Sequence, residues 1–326
     1  MFLEDVHIEG FKSFSEKTRM SFQPGIGVIM GKNGVGKSNI LDALVWTLGE
    51  SDIHRLRCVE DDELFFAGSN GYPPAAKARV EMVIRPANGE DSAGFKLARE
   101  KTRAGDERFE IDDTVCSGTE YLQHLATHDL KDALKTIIRQ EEINNVLQLD
   151  PPQRYEWIES MFASDNPPDA KALVEDEIAP RFHKYMSYLM PRGDFRLFTT
   201  STNGRQALEV EAGLPGNRMR KAHQLSGGEK SVTSLALKLA LFAGMESAVY
   251  LLDEVEPALD YTHHKSMQTL LKEVAARKQL IMITHLRSTI ELADTLHGVR
   301  TRFDGSSFMK FYFLMDERLL RLYKCC

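Results

Sequence analysis

Cysteine is scarce in this chain: Cys58, Cys116, Cys325 and Cys326 in 326 residues, with no C-x-x-C pair among them. That spacing gives neither a zinc site nor a disulfide framework, and the terminal Cys-Cys does not fit a prenylation pattern. Long apolar runs are missing too. None approaches the ~20 residues a bilayer-spanning helix needs, so no membrane contact is expected. The opening residues, MFLEDVHIEGF, carry acids where a secretory leader carries bases, and a cytoplasmic location is the expectation. A positive net charge is absent as well: 41 Lys and Arg stand against 48 Asp and Glu, a balance of −7. A chain that lives on nucleic acid is more often basic overall, so any DNA contact has to come from a local patch. There is no internal repeat and no low-complexity tract, and no heptad pattern is sustained.

What is present centres on GKNGVGKSN, Gly31 to Asn39. The spacing is G-x-x-x-x-G-K-S, with Gly31, Gly36, Lys37 and Ser38 in the fixed places. The apolar GIGVIM before it reads as a buried strand; SNILDALVWTL after it has helical spacing through Ile40, Leu41, Leu44, Val45 and Leu48. A strand–loop–helix junction of this kind turns backbone N–H groups inward around phosphate oxygens and adds the positive end of a helix. Lys37 supplies charge to the β- and γ-phosphates, and the Ser38 hydroxyl suits Mg²⁺. ATP and Mg²⁺ are the expected ligands, with Asn33, Gly34, Gly36, Lys37, Ser38 and Asn39 around them.

Around that stretch the pattern alternates between strand and helix. Residues 2–9, 78–84, FKLARE and ERFEID read as strands, the last two joined by the turn TRAGD. Together they predict an antiparallel layer on the nucleotide side. From Thr119 to about Leu149 the pattern is helical, broken by Pro151 and Pro152, and RYEWIESMFA follows as a further helix. SDNPPDA, residues 164–170, is a polar connection. ALVEDEIAPRFHKYMSYLM is helical with a kink expected at Pro180. DFRLFTT and QALEVEA predict a hairpin turning at Asn203-Gly204. LSGGEK opens a long helix, AVYLLDEVEPALD is an apolar strand ending at Asp253-Glu254, and HHKSMQTLLKEVAARK is a helix. QLIMITH is a buried strand ending at His285, RSTIELADTL a helix, and GVRTRF a last strand that closes the fold. Residues 304–326 have no assigned place.

Paired carboxylates at the end of a buried strand suit phosphoryl chemistry. Asp253 is expected to hold Mg²⁺ through its water shell, and Glu254 to orient and deprotonate an attacking water. LSGGEK resembles the signature of ATP-binding cassette ATPases, in which Ser226, Gly227 and Gly228 face the γ-phosphate held by another subunit. That resemblance also implies that Gln140 senses Mg²⁺ and the attacking water, that Asp260 crosses a dimer interface, and that His285 contacts the γ-phosphate.

More narrowly, the chain resembles the head domain of structural maintenance of chromosomes (SMC) proteins. MFLEDVHIEGFKSF, GKNGVGKSNILDAL, FFAGS, IIRQEEI, LSGGEKS, LLDEVEPALD and MITHLRSTIELAD carry the likeness, which extends from Met1 to Val299. It implies an α/β, bilobed ABC-type P-loop ATPase head with mixed sheets and flanking helices. Residues 1–163 would form an N-terminal lobe, 164–170 a short linker in place of a coiled coil, 171–303 a C-terminal lobe and 304–326 a tail. Lys12 and Ser13 match the family's K-S-F turn beside the nucleotide, and Arg57 matches its arginine loop, although Cys58 and Val59 stand where that loop usually has glycines.

The family inserts a long coil and a hinge where this chain has SDNPPDA; helices 153–163 and 171–190 look like the coil's roots. Either this is a coil-less relative or a head separated from its coil, and the absence of a Gly/Ser linker favours the first. The expected partners are a second copy on ATP binding, DNA, and accessory subunits at the helical roots. For DNA the candidate residues are Arg99, Lys101 and Arg103, with Lys96 beside them and Arg218, Arg220 and Lys221 before the signature. Two functions stay open. One is an ATP hydrolase acting with DNA in chromosome organisation, segregation or repair, and thus chromosome-associated. The other is an ATP-switched protein-interaction module that does not touch DNA. His124 and His128, four apart, could share a metal but have no third ligand in the pattern, so packing is the expectation.

Overall fold

The computed structural model describes residues 1–86, 94–128, 130–164, 167–213, 218–255 and 264–314. These residues divide into two compact units. The first comprises residues 1–137, 246–253 and 275–326, the second 138–245 and 254–274. The division therefore falls neither at the expected 164–170 connection nor between two halves of the chain. Strand pairing is the reason: three late strands align with an early one.

In the first unit, β1 (Phe2–Glu9), β2 (Thr18–Ser21), β4 (Lys77–Arg85), β5 (Phe95–Thr102), β6 (Glu107–Ile111) and β7 (Thr114–Cys116) form an antiparallel sheet in the order β2-β1-β4-β5-β6-β7. Its alternation was legible: Leu3, Val6, Ile8, Val80, Met82 and Ile84 are all buried. A second sheet has the order β15-β14-β3-β13-β12-β8, built from β3 (Ile26–Met30), β8 (Ile137–Ile138), β12 (Val249–Asp253), β13 (Gln279–Ile283), β14 (Thr295–Thr301) and β15 (Ser307–Leu314). Strands β12, β13, β3 and β14 run parallel. β12 and β13 are buried at every residue, as strands covered on both faces must be. Helix α1 (Lys37–Thr47) follows β3 directly, and Leu41, Leu44 and Trp46 from it join the core cluster of both sheets. Helix α2 (Gly118–Thr127) starts at Ser117 in a capping box with Glu120.

Three expectations need correction. The helical stretch 119–149 is not one helix. α2 ends at Thr127, and short turns, β8 and α3 (Asn145–Gln148) take its place, because Thr136 just before β8 is drawn to Ser247 and Val249 instead. RSTIELADTL is helical only over α9 (Arg287–Ile290), since its continuation enters β14. GVRTRF does not close the fold: β15, from the unassigned tail, pairs antiparallel outside it.

In the second unit, β9 (Asp194–Thr202), β10 (Arg205–Gly213) and β11 (Arg220–Lys221) make an antiparallel sheet in the order β11-β10-β9, with the β9–β10 turn at Asn203-Gly204 as expected. Helix α4 (Pro151–Met161) packs on β10, starting from an Asp150–Gln153 capping box. α5 (Ala170–Leu173) leads through a π-helical turn, Val174–Ile178, into α6 (Ala179–Leu189). Pro180 lacks an N–H, and the wider turn just before it accommodates that loss. The long helix α7 (Gly227–Phe242) packs against α6, and α8 (His264–Ala275) lies in the same unit.

Candidate active site

The phosphate loop leaves β3 after Met30 and enters α1 at Lys37. Gly34 and Gly36 have φ of 79° and 94°, the left-handed region that glycine enters without strain. At Gly36 a side chain is also sterically barred, because a Cβ would run into the hydroxyls of Ser13 and Ser307. α1 begins with no side-chain cap and no acid in its first turn, so no side chain there balances the partial positive charge of the helix start. Lys37 is buried, and its Nζ donates to the carbonyls of Gly31 (3.0 Å) and Lys32 (3.1 Å), which centres its charge in the loop.

Parallel pairing fixes what else reaches this edge. Asp253 stands opposite Ile283, and Ile283 opposite Ile29, so the three strands end together. Asp253 is 7% exposed at the end of β12. His285 is exposed two residues past β13, after Thr284, whose N–H donates to Ile29 O (3.2 Å). Glu254, next in the chain after Asp253, has φ 46°. Lys12 and Arg57 also have left-handed backbones, at 47° and 57°. Non-glycine residues hold such conformations only where the surroundings enforce them, and such strain gathers at functional sites.

Two residues not singled out from sequence tie these pieces together. Asp42, on α1 and 0% exposed, accepts from Lys12 Nζ at 2.6 Å and from Arg57 Nη2 at 2.7 Å. Lys12 also donates to Leu56 O. Ser307, the first residue of β15, lies 2.7 Å from Ser13 Oγ and 2.8 Å from Val35 O, while Asn39 Nδ2 donates to Ser13 Oγ at 2.8 Å. Asp42 was within reach of sequence reasoning, as an acid on the otherwise apolar face of SNILDAL. Ser307 was not, because no local pattern marks it.

The donors fit a magnesium nucleotide. A glycine cradle, a buried ammonium and an uncapped helix start suit phosphate oxygens. No cluster of three His, Cys, Asp or Glu that could cage a metal occurs among the described residues. Mg²⁺ prefers one or two carboxylates with phosphate oxygens and water to a full protein cage, and Ser38 and Asp253 are of the type that would hold it in that way.

The second unit carries the signature. Ser226 is the N-cap of α7 in a reciprocal box: Ser226 N–H donates to Glu229 Oε2 (2.8 Å), and Glu229 N–H to Ser226 Oγ (3.4 Å). Arg220 pairs with Glu229, and burial of Glu229 is outweighed by these donors, so its carboxyl titrates below its usual range. Ser226 and Gly227 are exposed, and the space beside Gly227 is open. Gln140 is exposed in a single turn, Gln140–Glu142. The residues after it are stitched to α7: Lys238 Nζ donates to Glu142 O (2.5 Å), Ser234 Oγ to Ile143 O, and Ser231 Oγ to Asn144 Oδ1 (3.2 Å). Asp260 lies outside the described residues.

The DNA expectation for Arg99 does not hold. Arg99 is 3% exposed; its guanidinium donates to Trp46 O (2.6 Å), Glu50 O (2.7 Å) and Glu107 (2.8 Å) and covers the Trp46 and Phe109 rings. It closes the end of α1 and is not available to phosphates. Its neighbours are ion-paired: Lys101 with Asp61, Arg103 with Asp62, and Lys96 with Asp113. Before the signature, Lys221 pairs with Glu209 (3.1 Å). The rings of His124 and His128 lie 4.1 Å apart, tilted by 32°, and pack on Phe95.

Residues 2–307 match the family described as the RecF/RecN/SMC N-terminal domain. The chromosome partition protein Smc of Mycolicibacterium paratuberculosis is 39% identical over 131 residues, 40% of this chain and 11% of that protein. Smc of Fusobacterium nucleatum is 40% identical over 117 residues, 35% of this chain and 10% of its own length. The chain thus spans about one tenth of the length of these curated relatives. Among solved structures, an Smc head bound to the C-winged-helix domain of ScpA superposes with a TM-score of 0.85 at 26% identity, covering 98% of this chain and 100% of that one. The SMC head domain of Thermotoga maritima gives 0.72 at 29% identity, covering 97% and 100%. With these likenesses added to the phosphate loop, the aligned strand ends and the signature helix, the chain belongs to the RecF/RecN/SMC N-terminal-domain family and has the α/β, ABC-type ATPase fold of an SMC head.

Proposed function

We propose that the chain binds ATP with Mg²⁺, dimerises on it and hydrolyses it, as a chromosome-organising ATPase head. The observation that carries this reading is the register Asp253–Ile283–Ile29, which brings a carboxylate to the sheet edge where the phosphate loop begins. Lys37 and the N–H groups at the start of α1 hold phosphate oxygens. Ser38 and Asp253 would hold Mg²⁺, which neutralises charge on the transferring group. Glu254 takes the proton of the attacking water, and His285 contacts the γ-phosphate. Lys12, Ser13, Asn39 and Arg57 support the nucleotide's flank, and Gln140 senses the metal and the water. Ser226, Gly227 and Gly228, with Asp260, serve the phosphate bound by a second copy.

An accessory subunit at the helical roots, residues 153–163 and 171–190, is part of the proposal. It is supported by the ScpA domain bound to a related head. DNA stays an open ligand. The ion pairs that occupy Lys96, Lys101 and Arg103 favour the second reading, an ATP-switched protein-interaction module.

Glu254→Gln tests the scheme. Without the base, ATP stays intact and dimer accumulates, so light scattering at saturating ATP and Mg²⁺ is expected to give twice the monomer mass. A monomer under those conditions would sink the two-copy grip. Repeating turnover measurements on the unsubstituted chain with DNA separates the two readings: stimulation favours the DNA motor, and an unchanged rate favours the interaction module.

A further inference from the structure

We propose that Ser307 is a positioning residue for the phosphate loop, acting through a chain of hydrogen bonds that aims the backbone N–H of Gly36. Its functional consequence rests on the ATP reading above; its structural content does not. Ser307 is 1% exposed and lies in the segment that no sequence motif marked. Its N–H donates to Ser13 O at 2.7 Å, which seats the start of β15 on the Ser13 turn. Its hydroxyl touches both Ser13 Oγ (2.7 Å) and Val35 O (2.8 Å).

A hydroxyl has one proton, and a carbonyl can only accept. Ser307 is the donor in both contacts, so its one proton is shared between Val35 O and Ser13 Oγ. Asn39 presents its Nδ2 to Ser13 (2.8 Å), and its Oδ1 faces Arg57 Nη2 at 3.4 Å, which fixes the orientation of the amide. Arg57 donates to Asn39, Asn39 and Ser307 both donate to Ser13 Oγ, and Ser307 also donates to Val35 O.

Val35 O is the consequential end. In a trans peptide unit the C=O and the following N–H point in opposite directions, and no described peptide bond is cis. Holding the Val35 carbonyl against Ser307 therefore turns the Gly36 N–H away from the serines. The same crowding explains why position 36 admits only glycine: both hydroxyls occupy the place a Cβ would take. The C-terminal strand thus reaches back 271 residues, from Ser307 to Gly36, to set a loop donor.

Ser307→Ala tests this, with Ser306→Ala as control. Ser306 is equally buried, but its hydroxyl serves Asp304 (2.8 Å), off the chain. Hydrogen exchange of the 34–38 amides is measured without nucleotide, and ATP·Mg²⁺ affinity by calorimetry. Ser307→Ala is expected to speed that exchange about tenfold and to weaken ATP about tenfold, the scale of one buried hydrogen bond with its acceptor left unmet. Ser306→Ala is expected to leave both unchanged, and Ser307→Thr, which keeps the hydroxyl, to restore both. Unchanged exchange in Ser307→Ala, or equal acceleration in Ser306→Ala, overturns the positioning role. If the unsubstituted chain binds no ATP, the nucleotide reading falls, and the exchange experiment still decides whether Ser307 orders the loop.

Discussion

Two helices in this chain begin at glycine-rich turns, and they begin in opposite ways. α1 starts bare: Gly36 offers no cap, no acid sits in the first turn, and Lys37 adds positive charge. α7 starts satisfied, with Ser226 and Glu229 capping each other and Arg220 balancing the acid. Their flanks differ in the same sense. Asp42 on α1 is a fully buried carboxylate matched by two cations, Lys12 and Arg57. Lys238 on α7 is a buried cation whose bond goes to a backbone carbonyl, Glu142 O. A bare start leaves partial positive charge that an anion would balance, and a charge-matched flank holds its side chains in place beside it. A capped start is already balanced by its own Ser226 and Glu229 while Ser226 and Gly227 stay exposed.

The sharpest way to break this contrast is Asp42→Asn. It leaves Lys12 and Arg57 facing a neutral amide in a buried place, and a loss of ~3–5 kcal/mol is expected in urea unfolding. Lys238→Met tests the other flank and should cost less, about 1–2 kcal/mol, because a donor to one carbonyl is lost while a buried charge is removed with it. The same variant carries a pH signature. Burial lowers the Lys238 pKa from its ordinary 10.5 to about 8, opposed only by attraction to Glu142. The folded state therefore binds this proton less readily than the unfolded chain. Its contribution is fully present above pH 10.5 and is lost as pH falls toward 8, so stability relative to Lys238→Met should rise from pH 8 to 10.5. Flat difference curves across that range would remove the buried-cation account. The smallest effect belongs to the cap. Ser226→Ala should destabilise the chain by about 1 kcal/mol in the same unfolding assay, whereas a loss as large as that of Asp42→Asn would erase the distinction between the two helix starts.

How much of this could be read in advance depends on the range of the interactions. The phosphate loop, β1, β4, the β9–β10 hairpin and the start of α7 were legible because each follows from neighbours within a few residues: a period of two, a helical spacing, a glycine that must take positive φ. Arg99 was misread for the complementary reason. On a strand it looks like any alternating surface charge, yet its burial depends on the Trp46 and Glu50 carbonyls, about fifty residues earlier. The supposed helix over 119–149 failed similarly, since the bonds of Thr136 to Ser247 and Val249 pull that stretch into an edge strand. β15 has strand composition, but its role came into view only when it paired with β14.

The sequence by itself determined the local pattern: which turn has the phosphate-loop spacing, which strand ends in two carboxylates and which helix opens with the signature. Tertiary structure alone decided where those chemistries meet. Parallel pairing aligned Asp253 with the loop after β3, and packing chose Asp42 and Ser307 as its supports. The physical reason is that backbone conformation is set by adjacent residues, whereas burying a charge or a hydroxyl is tolerable only when distant parts of the chain supply its partner.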